Sequence, residues 1–205
     1  GEGPFTVSPL FPTYYVLTVS DICGNTLQDS ALVNLYQLPY IDLNLFKDSS
    51  CAPAVFTLGD SSFYNTNYQF VWSIDGTPVS TQPMFQTQLY NSGIYPVSVQ
   101  LTSPEGCINT LTDSALIEVF PLPVAGFEAN PWETTILQPT IQFNDQSQDA
   151  FQWFWSFDDG DTSLTTNPQH TYGDTGTYSV MLIVANQHGC LDTAYNDVVV
   201  KPEFY

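Results

Sequence analysis

The chain has 205 residues, of which 43% are hydrophobic and 15% aromatic, so it can fill packed cores and lies outside the disordered range. Only 11% are charged, against about 25% in ordinary globular proteins, and Lys47 and Lys201 stand alone against 21 acidic residues, giving a formal charge of −19. That balance excludes a phosphate-backbone interface, so no nucleic-acid partner is expected, and it opposes binding to anionic membrane surfaces.

The first predicted element covers residues 15–33, YVLTVSDICGNTLQDSALV. It is a Tyr-led alternating strand, a polar turn holding Cys23, and a second alternating strand, which reads as a hairpin. A Pro-containing linker, YQLPY at 36–40, follows. Next comes a short alternating run headed by Cys51, CAPAVFTL, and then YQFVWSID at 68–75. Residues 95–117, YPVSVQLTSPEGCINTLTDSALI, repeat the opening hairpin pattern with Cys107 in the turn. A second linker, FPLPV at 120–124, leads to FQWFWSFD at 151–158. Residues 178–200, YSVMLIVANQHGCLDTAYNDVVV, repeat the hairpin a third time around Cys190. No helical periodicity of useful length occurs.

These elements recur at a fixed spacing, the mark of a repeat array. Cys23, Cys107 and Cys190 are 84 and 83 residues apart, and Trp72 falls on Trp155 at a shift of 83. The chain therefore divides into residues 1–39, the C-terminal part of one repeat, then 40–123 and 124–205, two whole repeats. About 84 residues of short alternating strands between Gly, Pro and Asn turns predict an all-β, Ig-like sandwich. Short Pro-containing linkers would join the sandwiches into a semi-rigid, rod-like array. Phe151, Trp153, Trp155 and Phe157 share one strand face by parity. Trp72 and Trp155 are placed as core tryptophans, and Tyr95 and Tyr178, each two residues after a Gly, as tyrosine corners.

Residues 155–184, WSFDDGDTSLTTNPQHTYGDTGTYSVMLIV, strongly resemble a PKD domain, whose pattern runs W-x-F-G-D-G, N-P-x-H-x-Y and G-x-Y-x-V-x-L. Trp155, Phe157, Asp159, Gly160, Asn167, Pro168, His170, Tyr172, Gly176, Tyr178, Val180 and Leu182 carry the match. The middle repeat keeps the frame but lacks N-P-x-H, and so resembles a diverged PKD or general Ig-like module. The arrangement is similar to the stalks of Bacteroidota cell-surface proteins, including gliding-motility adhesins exported by the type IX secretion system. The resemblance implies an extracellular or cell-surface location and a non-catalytic structural or adhesive stalk or filament component. The alternative is an accessory carbohydrate- or protein-binding module of a secreted hydrolase.

Four cysteines in an extracellular chain predict disulfide chemistry. Only the middle repeat has a Cys at the Cys51 position, so the expected bridge is Cys51–Cys107, closing a loop of about 57 residues and contributing roughly 4 kcal/mol; Cys23 and Cys190 are left unpaired. Asp158, Asp159 and Asp161 form an acidic turn. It is read as a turn held by Asx hydrogen bonds, with no metal, and Ca²⁺ is the alternative because hard oxygen ligands cluster there. The PKD pattern gives His170 a structural role. His170 and His188 accompany no H-E-x-x-H or G-x-S-x-G motif, so the chain is not expected to be an enzyme. Trp132, in a Pro-flanked loop, is the ligand-contact candidate, for a glycan above all. Asp29-Ser30-Ala31, Asp113-Ser114-Ala115 and Asp192-Thr193-Ala194 match a Bacteroidota O-glycosylation motif, making Ser30, Ser114 and Thr193 glycosylation candidates.

Residues 1–39 supply two or three strands, too few to bury both faces of a sandwich. The first expectation is that further strands of the same polypeptide complete them. The second is that a neighbouring subunit does so, which would build a filament. No basic flank with an apolar core follows Gly1 and no run nears the ~18 apolar residues of a membrane span, so a processed or internal fragment without membrane insertion is expected.

Overall fold

A computed structural model of the chain describes residues 6–59 and 67–203. Among these, every regular element is a strand except one short 3₁₀ turn, Leu43–Phe46. The fold is the expected all-β one, built of Ig-like sandwiches.

The first element is an isolated antiparallel hairpin, β1 (Thr13–Ser20) and β2 (Thr26–Val33), with Thr13 opposite Val33 and Ser20 opposite Thr26. Its turn is tied by Asp21, whose carboxylate accepts from the backbone N–H groups of Cys23 and Asn25 and from the Asn25 side chain. Gly24, at φ +85°, supplies the left-handed residue this turn needs. No third strand joins β1 or β2 among the described residues.

Residues 48–120 form β3 (Asp48–Cys51), β4 (Ala54–Gly59), β5 (Gln69–Ile74), β6 (Thr77–Ser80), β7 (Met84–Leu89), β8 (Gly93–Thr102) and β9 (Ile108–Phe120). One sheet has the order β3-β9-β8-β5-β6, with β3 parallel to β9; β4 and β7 pair on the other side. Alternation along β5 points Phe70, Trp72 and Ile74 inward, and all three are buried. Trp72 is fully buried against Phe46 and Phe85, and its indole N–H donates to the Gln82 carbonyl at 3.0 Å.

Residues 127–201 repeat that plan with β10 (Phe127–Asn130), β11 (Glu133–Thr135), β12 (Thr140–Asp145), β13 (Gln152–Ser156), β14 (Thr162–Ser163), β15 (Gln169–Thr171), β16 (Gly176–Ala185) and β17 (Leu191–Lys201). The larger sheet runs β11-β17-β16-β13-β14, again with its first strand parallel to its last, and β10-β12-β15 close the other face. Trp155 occupies the place of Trp72: it is fully buried beside Phe127 and Phe143 and donates to the Thr165 carbonyl at 2.9 Å. Both predicted tyrosine corners form. Tyr95 and Tyr178 donate their hydroxyls to the carbonyls of Asn91 and Asp174, each four residues upstream.

One parity reading needs correction. Trp155 and Phe157 are buried and Trp153 packs at the core margin, but Phe151 is 57% exposed. Phe151 precedes β13 and donates its N–H to the Ala185 carbonyl at the end of β16.

Two cores result, one drawn from residues 41–119 and the other from 127–200. The β1–β2 hairpin belongs to neither. Its Tyr14, Val16, Leu17, Val19 and Leu27 are all exposed.

Candidate functional site

The cysteines give the largest departure from expectation. The disulfide joins Cys51 to Cys190, with Cα atoms 5.6 Å apart; Cys107 and Cys23 are free. The expected Cys51–Cys107 bridge fails because β9 separates the two residues. Cys51 lies opposite Phe120, the last residue of β9, while Cys107 immediately precedes its first, Ile108. A 13-residue strand spans about 40 Å, far beyond the roughly 7 Å that a disulfide tolerates between Cα atoms. Cys190, expected to be unpaired, instead sits at the near end of the following sandwich. Strand length and the parallel placement of the first strand against the last would have exposed the conflict. The sequence alone shows the first but not the second.

The bridge is part of a built junction. Asn186, buried to 8% exposure, accepts from the N–H groups of His188 and Cys190 through its side-chain oxygen. Its side-chain amide donates to the Pro121 carbonyl in the linker at 2.8 Å. The His188 ring stacks on Phe120 with centroids 3.9 Å apart. One turn of the last sandwich thus grips the end of the preceding one by a covalent bond, a hydrogen bond and a ring stack. Ser103 closes the corresponding turn around Cys107, and Asn109 donates to the Pro39 carbonyl of the first linker, so that junction carries polar ties without the covalent one.

The acidic turn is positioned by its backbone. Asp158 adopts φ +67°, and its carboxylate turns away to accept from the Ser179 N–H on β16. Asp159 accepts from the Asp161 N–H and, through its other oxygen, lies 2.7 Å from His170 Nε2. His170 is buried, stacked on Phe157 with centroids 4.1 Å apart and set edge-on to Tyr172. Asp159, Asp161 and His170 offer ligand atoms within 4.8 Å of one another, whereas Asp158 is not in that group. A Ca²⁺ ion takes six to eight oxygens; here the Asp158 and Asp159 carboxylates are engaged in fixing the turn and its histidine.

The turn's charge reaches the neighbouring rings. Tyr172 is 1% exposed, and its hydroxyl has no hydrogen-bond partner among the described residues. Burial pushes its phenol well above the usual range, and the Asp159 carboxylate adds to the effect. Tyr178, stacked on Tyr172, is raised too, by desolvation first and then by Asp174.

The remaining candidates are dispersed. Trp132 is 38% exposed, tilted against Phe127, and its carbonyl accepts from Val199 N–H. Ser30, Ser114 and Thr193 are all exposed on last strands of their units. Sequence reasoning did not mark an open groove of about 800 Å³ beside β13, lined by Trp153, Phe154, Leu164, Ile183 and Leu191 among others. The outward parity of Phe154 within β13 was the available signal. No helix among the described residues is long and apolar enough to cross a membrane.

The family comparison falls on the last sandwich. Residues 118–200 match the family model of the PKD domain. The chain is 34% identical over 73 residues to Collagenase ColA of Bacillus cereus, which covers 33% of this chain and 8% of that protein. It is 48% identical over 47 residues to the microbial collagenase of Vibrio alginolyticus, covering 23% and 6% respectively. The matches thus span less than a tenth of the curated relatives' length. Among solved structures, the PKD1 domain of the Vibrio cholerae metalloprotease PrtV aligns with 27% identity and TM-score 0.35, over 39% of this chain and 98% of that one. The buried Trp155, the Asp159–His170 contact and the Tyr178 corner all lie within residues 118–200, the stretch that matches the PKD domain model.

Proposed function

We propose that this chain is a non-catalytic, extracellular stalk segment of a bacterial surface protein, presenting adhesive parts carried elsewhere. The observation that carries this reading is the junction: two sandwiches with separate cores are joined by a short linker, a disulfide, the Asn186–Pro121 hydrogen bond and the Phe120–His188 stack. Such a junction restricts hinging, which favours a rod over a pair of freely tethered domains. A disulfide also suits an oxidising, extracytoplasmic setting, in keeping with the likeness to parts of bacterial collagenases. Export by the type IX route, as in gliding-motility adhesins, and O-glycosylation at the exposed Ser30, Ser114 and Thr193 belong to the same reading. The open β1–β2 hairpin would be completed by strands of another module or subunit.

The second reading is an accessory binding module of a secreted hydrolase, favoured by the collagenase similarity and by half-exposed Trp132. Two measurements separate them. Small-angle scattering of a stalk gives a radius of gyration well above the roughly 17 Å of a compact 205-residue domain, and collagen-peptide and glycan arrays show no retention. Binding that disappears in Trp132→Ala establishes the accessory module instead. Intact-mass measurement of native protein decides the glycosylation, and unmodified mass at all three sites removes it.

A further inference from the structure

The Cys51–Cys190 bridge connects the first strand of one sandwich to the last strand of the next. β3 runs Asp48–Cys51, and β17 starts at Leu191, immediately after Cys190. Between the two cysteines lie residues 52–189, at a sequence separation of 139. That stretch contains the strands β4–β9 and β10–β16 and nearly all of both cores.

The structure assigns this disulfide a mechanical role: it is a covalent shunt that removes two sandwiches from the path of tension along the chain. This deepens the stalk reading and rests on it only for the source of the load. Tension entering from the residue 34–47 segment passes through β3, crosses the bridge, and leaves along β17. Every link on that route is a covalent bond. Both ends of β17 are loaded, so the strand is held taut between Cys190 and Lys201 without any of its pairs to β16 or β11 needing to break.

Reduction restores the ordinary route through both sandwiches. Load then enters one at Asp48 on β3 and leaves at Phe120 on β9. Because β3 and β9 are parallel, with Asp48 opposite Ile117 and Cys51 opposite Phe120, these strands are pulled in shear. β11 and β17 are parallel in the same sense, with Glu133 opposite Val199 and Thr135 opposite Lys201. The β1–β2 hairpin lies outside the shunt in either state. Its Thr13 and Val33 are directly opposite, so it is loaded from one end and opens pair by pair. The bridge therefore divides the chain into an extensible leader and a locked remainder.

The test is single-molecule pulling of the whole chain by its two ends, with and without dithiothreitol, a dithiol that is oxidised to a cyclic disulfide as it returns Cys51 and Cys190 to thiols. Without reductant, only the low-force opening of the leader is expected. With it, two further ruptures should add roughly 480 Å of extension, about 139 residues at ~3.5 Å each. Cys51→Ser and Cys190→Ser should reach the full length without reductant, and Cys107→Ser should behave as the parent. If either serine variant fails to fold, adding reductant to the parent under constant force gives the same readout as a step in length. An unchanged length overturns the shunt, as does a gain of only about 200 Å, the reach of the Cys51–Cys107 stretch. A chain that gains the length yet binds collagen or glycan probes through Trp132 keeps the shunt and loses the stalk reading. One that binds neither and gains nothing loses the shunt alone.

Discussion

The hairpins β1–β2 and β16–β17 share one sequence pattern and have opposite fates. Each begins with a Tyr-led alternating strand, turns through a Cys-bearing polar loop and returns along an alternating strand. In β16–β17 the inward set, Val180, Leu182, Val184, Val198 and Val200, is buried to 1% exposure or less. In β1–β2 Leu17, which falls on Val184 at the repeat spacing, is 64% exposed. Strand pairing is thus encoded within about twenty residues, whereas burial has to be supplied by the other half of the sandwich. A two-stranded hairpin is marginal in water until that half arrives.

The strongest way to break the comparison is to remove a core ring. Trp155→Ala should cost about 3–5 kcal/mol and unfold the last sandwich, because Trp155 is fully buried and anchors the Thr165 carbonyl. Leu17→Ala on the exposed hairpin should stay within about 0.5 kcal/mol. Thermal or denaturant unfolding checks both, and comparable losses would show that the first hairpin is already packed in solution.

A smaller effect separates the regions by pH. The Tyr172 phenol is raised in the folded protein, so the unfolded chain ionises first as pH rises past about 10. Stability is therefore fully present below that pH and declines above it. Tyr172→Phe should flatten the alkaline decline while leaving neutral stability intact or improved, since the buried hydroxyl has no partner. A decline of the same steepness in both proteins would assign it to other groups.

The smallest effect belongs to the hairpin. Hydrogen bonds from Asn25 lower the Asp21 carboxyl in the folded turn. The stability this provides is present above the ordinary carboxylate pKa near 4 and is lost as pH falls through the lowered folded value. Amide exchange at Cys23 and Asn25 should therefore quicken on acidification, and Asp21→Asn should remove that dependence without touching β16–β17. Exchange insensitive to pH, after correction for intrinsic rates, would discount the turn.

Much of this was legible because alternation and spacing are local. Trp72, Trp155, Tyr95 and Tyr178 fall into their roles from the repeat frame and the positions of glycine. The PKD resemblance gives His170 a structural role, but its partner, Asp159, was not legible from the pattern. The Cys51–Cys190 pairing was not legible, since it depends on which end of each sandwich faces its neighbour. Alternation fixes the face on which a side chain lies but not the end of the molecule to which a turn is delivered. Phe151 failed for a related reason: parity was carried past the start of β13, which begins at Gln152.

The open hairpin also bears on how copies of the chain coexist. Unpaired strand edges are templates for edge-to-edge association, and proteins commonly blunt them with lysine or proline. β1 and β2 contain neither. What they have instead is a chain carrying 21 acidic residues against two basic ones. Two such molecules repel over a distance set by ionic strength, about 10 Å at 0.1 M salt. The safeguard against aggregation is therefore diffuse rather than built into the edge, so salt concentration becomes a control on self-association that no single side chain provides.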